Sequence, residues 1–285
     1  MSKSIQKHVK PAENIHAERR GQPVSEFISK APLPSSVPMA HPGCLKKIES
    51  LIEKGRRPKD IAEFVYCISE AGKCSDADFY KAALDYTLSK RDFDSAEDIC
   101  QSAVIAHVND EALYLRAMDV MLTPMSFVSS VGTNNAIKYS SAENACRILG
   151  SIALHNLSQS LETRIDVPNA FMLAVNRVWK HDIYDERRSE DRIDRVIEIY
   201  ENALDAEIDP STGYDLFEWV HKMILENKSV SKDQKVKQLF EVTAKTIRSK
   251  VSHTILFTKV MEFLEANDAK NQRRTLRNLL TVHKK

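Results

Sequence analysis

The segment from Tyr80 to Ala103 restricts most narrowly what this chain can fold into. Apolar side chains recur there three and four positions apart on both sides of a short polar stretch, residues 91–94. This spacing is typical of two amphipathic α-helices joined by a tight turn. Small side chains such as Ala83 and Ala96 stand among the apolar positions, where two helix backbones can approach closely. The segment therefore predicts a helical hairpin.

Composition extends this prediction to the whole chain. Seven glycines among 285 residues are few for a protein of sheets and tight turns, because such turns use glycine repeatedly. The 41 basic and 40 acidic residues leave a formal net charge of +1. No overall basic field therefore recruits nucleic acid, and a nucleic-acid site would need a local patch. The composition predicts an all-α protein.

The chain is predicted to divide into a disordered N-terminal tail, residues 1–43, and a helical domain, residues 44–285. Each proline in the tail removes a backbone donor and obstructs the preceding helical turn. The tail also lacks a periodic apolar stripe and is mostly polar, which is typical of disorder. Its prolines are Pro11, Pro23, Pro32, Pro34, Pro38 and Pro42.

Helical patterns continue from Cys44 to the end, and we interpret them as about twelve helices, or six hairpins, in the manner of stacked repeats. Pro58 suits the first turn of a helix, and Asp110 suits the cap of another. The hairpin that begins at Tyr114 holds about a dozen extra residues. We expect these to form a long loop centred on residues 129–135, with Ser140 or Ser141 capping the helix that follows.

The hairpin from Tyr80 to Ala103 resembles a tetratricopeptide repeat. Tyr80, Phe93, Ala96 and Ala103 match aromatic and small positions of that family, whereas Val108 replaces its loosely kept proline. Later hairpins lose the alanines, so the chain is also similar to pentatricopeptide-like and other irregular arrays. The resemblance covers most of residues 44–282 and implies an α-solenoid with a tetratricopeptide-like superhelix.

In tetratricopeptide arrays the first helix of each hairpin lines a concave groove that holds an extended peptide or a partner helix. The resemblance therefore implies a non-enzymatic protein-binding adaptor or scaffold, since a polar, mixed-sign groove suits a peptide backbone and its side chains. The partner-binding positions that it implies are Lys81, Asp85, Asp119, Asn176 and Lys180.

Two alternatives stay open. The pentatricopeptide-like reading implies an RNA-binding protein, in which successive helices read one base each. Asp85 and Asp119 would repel phosphate, so this alternative ranks second. A third reading is a helical enzyme with a site at the charged segment around His181 and Asp182, where a histidine beside carboxylates could act as a base. A solvated corner of locally paired charges explains that segment more simply.

No common signature of catalysis, phosphate binding or metal binding appears in the chain, so we expect neither a cofactor nor a metal. The five cysteines have no paired spacing, which favours reduced thiols in the cytoplasm, with an organelle or a non-classical export route left open. Cys67, Cys100 and Cys146 are expected to be small buried side chains. The apolar stretches are too short to span a membrane, and the sequence does not determine the oligomeric state.

Overall fold

A computed structural model describes residues 43–123, 134–159, 164–180, 189–207, 210–228, 230–249 and 254–283. All of these residues belong to one compact unit, Ser36–Lys285. Its described parts contain twelve α-helices and no strand, which confirms the all-α prediction. The helices are α1 Cys44–Glu53, α2 Pro58–Glu70, α3 Ala77–Ser89, α4 Phe93–Ile105, α5 Glu111–Met121, α6 Asn134–Ser158, α7 Pro168–Lys180, α8 Ser189–Asp205, α9 Pro210–Glu226, α10 Lys232–Arg248, α11 Thr254–Ala266 and α12 Lys270–His283. The predicted tail, except for Gly43, lies outside the described residues.

Short polar side chains cap the start of four of the described helices. Asp76, Asp92 and Asp110 each accept a hydrogen bond from a backbone N–H in the first turn of the following helix. Ser231 forms a reciprocal capping box with Gln234 at the start of α10. Such caps satisfy amide groups that have no partner within the helix. The predicted cap at Asp110 is thus confirmed, and Pro58 occupies the first turn of α2 as expected.

The first four helices end in the same way. The residue after each C-cap has a positive φ, and the next residue donates its N–H back to a carbonyl of the last turn. This Schellman motif satisfies carbonyls that the helix leaves unpaired. Glycine supplies the positive φ after α1 and α2, at Gly55 and Gly72, whereas Arg91 and His107 supply it after α3 and α4.

Each helix packs against its successor, and most helices also pack against the helix after that one. The odd-numbered helices α1 to α9 contact one another in series, and we call them the odd row. The even-numbered helices α2 to α12 do the same and form the even row. The apolar core lies between these neighbours and runs through the described helices as one connected cluster.

One pair of buried residues recurs along the helices α3, α5, α7, α9 and α11. It consists of an aromatic residue and, three positions later, alanine or valine, and every member is buried. The large ring fills the space between helices, and the small residue lets a neighbouring backbone approach. The pairs are Tyr80 with Ala83, Tyr114 with Ala117, Phe171 with Ala174, Phe217 with Val220, and Phe257 with Val260.

The two tyrosines of this series make the same hydrogen bond. The Tyr80 hydroxyl donates to the backbone carbonyl of Cys74 at 2.9 Å, six residues earlier. The Tyr114 hydroxyl, about 34 residues further along, donates to the carbonyl of Val108 at 3.0 Å, again six residues earlier. Each bond ties the connection before a helix to the fourth residue of that helix.

Two local predictions are wrong. The α6 helix begins at Asn134, so Ser140 and Ser141 lie inside it and not at its start. The apolar residues Ala136 and Ile137 continue the helical pattern upstream of the serines, and a serine caps a helix only where the chain enters it. Residues 129–133 of the predicted loop lie outside the described residues, whereas Asn134 and Asn135 belong to α6. Cys67 is exposed rather than buried, whereas Cys100 and Cys146 are buried as expected.

Candidate partner-binding surface

The predicted partner-binding residues lie on three successive helices of the odd row. Lys81 and Asp85 belong to α3, Asp119 to α5, and Asn176 and Lys180 to α7. Because α3 packs on α5 and α5 packs on α7, the structure brings these positions into one series. The side chains of the first four are described and that of Lys180 is not.

Ion pairs connect these helices along the row. Arg116 of α5 donates to the Asp85 carboxylate of α3 at 3.0 Å. One turn further along α5, the Asp119 carboxylate accepts a hydrogen bond from Arg177 of α7. We call these two pairs the odd-row ladder. Each pair places an acidic residue on one helix and an arginine on the next odd-numbered helix.

The ladder is accessible to solvent and to a partner. The side chains of Asp85 and Arg116 are 58% and 56% exposed, and those of Asp119 and Arg177 are 44% and 31% exposed. Exposed pairs of this kind contribute at most about 1 kcal/mol to stability. Their carboxylates still have free acceptor capacity, because a carboxylate can accept several hydrogen bonds.

Lys81 links α3 to the start of α5. Its ammonium nitrogen lies 2.7 Å from the Asp110 carboxylate and 3.7 Å from that of Asp78. The hydrogen bond to Asp110 is the main cause that raises the pKa of Lys81. Burial acts to raise the pKa of Asp110, but the bonds from Lys81 and from the Leu113 amide outweigh it and lower that pKa. The pair therefore stays charged at neutral pH, and Asp110 serves as helix cap and ion-pair partner together.

The starts of α5 and α7 are also joined. The Glu111 carboxylate accepts hydrogen bonds from the backbone N–H and from the side-chain amide of Asn169, at 2.8 and 3.0 Å. Asn109 accepts a further bond at 3.0 Å from the backbone N–H of Asp166. These contacts fix the position of α7 relative to α5, and so they hold Asp119 and Arg177 in reach of each other.

A second polar surface lies on the even row, between α4 and α6. A guanidinium nitrogen of Arg147 lies 3.0 Å from the carboxylate of Glu97, which is buried. The Asn144 amide donates to Asp94 at 3.0 Å and its carbonyl accepts from Arg147. Burial is the main cause that raises the pKa of Glu97 to about 7, and Arg147 offsets only part of it. Sequence patterns did not single out this cluster.

Further along the even row, α8 and α10 border an open cavity of about 510 Å³. The Lys245 ammonium nitrogen lies 3.0 Å from Asp205 and 3.5 Å from Glu201. Phe240 lines the same cavity beside them. The single positive charge of the lysine offsets part of the negative charge of the two carboxylates.

The sequence-based prediction found one side of the odd-row ladder and missed its cationic partners, Arg116 and Arg177. A signal for Arg116 exists in the repeat spacing. Asp85 and Asp119 occupy equivalent positions about 34 residues apart, and Arg116 lies three residues before Asp119, on the same face of α5. Arg177 follows the hairpin that holds the extra residues. These residues shift it away from the spacing of about 34 residues, so the same signal does not identify it.

The described residues contain no group of three or more His, Cys, Asp or Glu side chains arranged to hold a metal ion. The charged segment with His181 and Asp182 falls in residues 181–188, which are outside the described ranges. No helix in those ranges has both the length and the apolar character that crossing a bilayer requires. Comparisons of the chain with protein-family models, with curated proteins and with solved structures find no match to it.

Proposed function

We propose that this protein is a non-enzymatic adaptor that binds a protein or peptide partner along its odd row. In this proposal the helices form an α-solenoid of six tetratricopeptide-like hairpins. The packing of each row in series supports it, since stacked hairpins make contact mainly with their neighbours. The recurrence of the capped helix start and of the tyrosine hydrogen bond about one repeat apart supports it as well.

The observation that carries the proposed function is the odd-row ladder. Asp85, Arg116, Asp119 and Arg177 follow one another from α3 to α7 with alternating sign, and all four are accessible. An extended peptide offers backbone donors and acceptors together with charged side chains of either sign, so a mixed surface suits it. Alternating charges also exclude partners of the wrong register, because like charges placed opposite each other are costly.

The ladder suits a protein better than a nucleic acid. A phosphate backbone is attracted by uncompensated lysine and arginine, whereas each arginine of the ladder is paired with an aspartate. The five cysteines are free thiols, which agrees with the proposed location in the reducing cytoplasm.

The test exchanges charges within the pairs instead of removing them. Reversing the charge of Asp85 alone would place a cation beside Arg116. A loss of partner binding could then come from repulsion between these two cations within the protein. A variant with Asp85→Arg, Arg116→Asp, Asp119→Arg and Arg177→Asp keeps the net charge and allows both pairs to form with opposite polarity. We expect its melting temperature to stay close to that of the wild type, because exposed pairs contribute little.

Partner capture is then compared by quantitative mass spectrometry of proteins retained from a lysate treated with nuclease. We expect the exchanged variant to retain the specific partners of the wild type at least about tenfold less well, the equivalent of 1.4 kcal/mol. The matched control exchanges the pair at the start of α2, with Arg57→Asp and Asp60→Arg, and should retain them all. Equal capture by both variants would place the functional surface elsewhere, and capture that nuclease abolishes would favour RNA.

A further inference from the structure

Two buried thiols meet where the chain enters the described helices. Cys44 is the first residue of α1, and Cys74 lies in the connection between α2 and α3. The Cys44 thiol donates a hydrogen bond to the backbone carbonyl of Lys73, with 3.9 Å between sulfur and oxygen. Lys73 directly precedes Cys74, and the Cys44 thiol contributes to the raised pKa of the Cys74 thiol. Cys74 is fully buried, whereas Cys44 retains 9% of its surface exposed.

The connection that carries Cys74 is held firmly in place. The backbone carbonyl of Cys74 accepts the hydrogen bond from the Tyr80 hydroxyl. That hydroxyl is also 2.8 Å from the hydroxyl of Ser69. Gly72, two residues before Cys74, adopts a positive φ. The Lys73 N–H donates to the backbone carbonyl of Ile68 at 3.1 Å. Relative movement of the two sulfurs therefore comes mainly from α1.

We propose that Cys44 and Cys74 form a redox-modification site, in which a low-molecular-weight disulfide such as oxidised glutathione converts them reversibly into an intramolecular disulfide. That bond would fasten the first residue of α1 to the α2–α3 connection. It requires the two sulfurs to approach to about 2.0 Å, through rotation of the cysteine side chains and a shift of α1.

The reaction is a pair of thiol–disulfide exchanges. The Cys44 thiolate attacks one sulfur of oxidised glutathione, the S–S bond breaks, and one glutathione leaves as its thiolate. While α1 is locally open, the Cys74 thiol loses its proton to the water that enters and attacks the Cys44 sulfur of the mixed disulfide, and the second glutathione leaves as its thiolate. Two protein thiols are thereby oxidised, and one small disulfide is reduced to two thiols.

The environment assigns the order of attack. Burial is the main cause that raises the pKa of the Cys74 thiol to about 12, so Cys74 is a thiol and not the reactive thiolate at neutral pH. Cys44 keeps some exposure, and α1 packs mainly on α3 and only lightly on α2. Local opening of this helix gives the oxidant access to Cys44.

The other thiols provide internal controls. Cys67 is exposed on α2, and we expect it to form a mixed disulfide with glutathione. Cys100 and Cys146 are buried in the core, and burial raises the pKa of Cys146 to about 12. We expect both to stay reduced as long as the protein is folded.

The experiment treats the full chain with oxidised glutathione and maps its disulfides by peptide mass spectrometry at successive times. In the folded chain, the peptide pair linked through Cys44 and Cys74 should accumulate at least about tenfold more than any other cysteine pair, whereas the chain unfolded in guanidinium should give a mixture of pairs. Once it has formed, amide exchange in α1 should slow by about tenfold, and a reductant should reverse the change.

Two variants separate the steps. Cys67→Ser should leave the Cys44–Cys74 link unaffected, and Cys74→Ser should stop the reaction at a glutathione adduct on Cys44. If Cys74→Ser does not fold, the time course of the wild type decides alone. A folded wild type that forms no Cys44–Cys74 link, or forms it no more than other cysteine pairs, would overturn the proposal.

Discussion

Glu97 illustrates how a single buried charge makes stability depend on pH. It lies on α4 with 8% of its surface exposed, and it accepts hydrogen bonds from Gln101 at 2.8 Å and from Arg147 at 3.0 Å. Burial raises its pKa from 4.5 to about 7 in spite of these partners. The folded chain therefore binds a proton at Glu97 more tightly than the unfolded chain does.

The pH dependence follows from that difference. The stabilisation due to the bound proton is complete below about pH 4.5 and is lost as the pH rises through about 7. Glu97→Gln keeps the size and the hydrogen-bonding capacity of the side chain. As the pH rises over this range, we expect its free energy of unfolding to fall by up to about 3 kcal/mol less than that of the wild type. Urea unfolding at several pH values measures the difference between the two proteins.

The comparison with the variant is necessary because another residue acts in the opposite direction. His221 is buried, and burial followed by repulsion from Lys259 lowers its pKa to about 4. Its contribution is present above about pH 6.5 and is lost as the pH falls through about 4, so it raises the stability of both proteins as the pH increases. Parallel pH profiles for the wild type and Glu97→Gln would contradict the assignment to Glu97.

At the scale of the helices, the small residues decide how closely neighbours pack. Ala96 is fully buried on α4, which packs against α2, α3 and α6. The sequence pattern predicted this position correctly, because the alanine recurs on the apolar face of its helix. The pattern did not identify the neighbours from other hairpins, α2 and α6. These contacts depend on how hairpins stack and not on the period of one helix.

We expect Ala96→Leu to overfill this crossing and to lower the free energy of unfolding by about 1–3 kcal/mol. Chemical denaturation monitored by circular dichroism measures the change. The matched control is Ala112→Leu on α5, where the alanine is exposed and the change should be within about 0.5 kcal/mol. Equal stability of the two variants would mean that the crossing tolerates the larger side chain.

Helix starts were harder to predict than helix faces. Asp110 and Ser140 are both residue types that favour N-caps, yet only Asp110 caps a helix. The chain before Asp110 is a connection, whereas the chain before Ser140 already belongs to α6. A cap depends on where the backbone changes conformation, and the local residue types do not determine that point.

At the scale of the whole chain, helical periodicity was sufficient to predict an all-α protein of about twelve helices. It could not predict which charges meet, because Asp119 and Arg177 lie on different helices and their contact depends on the packing of α5 on α7. The predicted binding positions therefore came as single residues, whereas the structure pairs Lys81, Asp85 and Asp119 with partners from other segments.

The division at residue 43 stays a prediction. The tail combines closely spaced prolines with a lack of periodic apolar residues, so we expect proteases to cleave it readily. Limited proteolysis should leave a stable product that begins near Cys44 and melts at the temperature of the full chain. A product that aggregates or melts earlier would show that the tail contributes to the folded domain.

The packing of each helix on its nearest successors also bears on how the protein folds. Even the ion pair from α5 to α7 joins residues only 58 positions apart, and most helix contacts are shorter still in sequence. Contacts of short sequence separation require little loop closure before they form, and chains rich in them fold quickly. The early hairpins can thus find their neighbours while later ones are still being synthesised, which shortens the time that their apolar faces are exposed to aggregation.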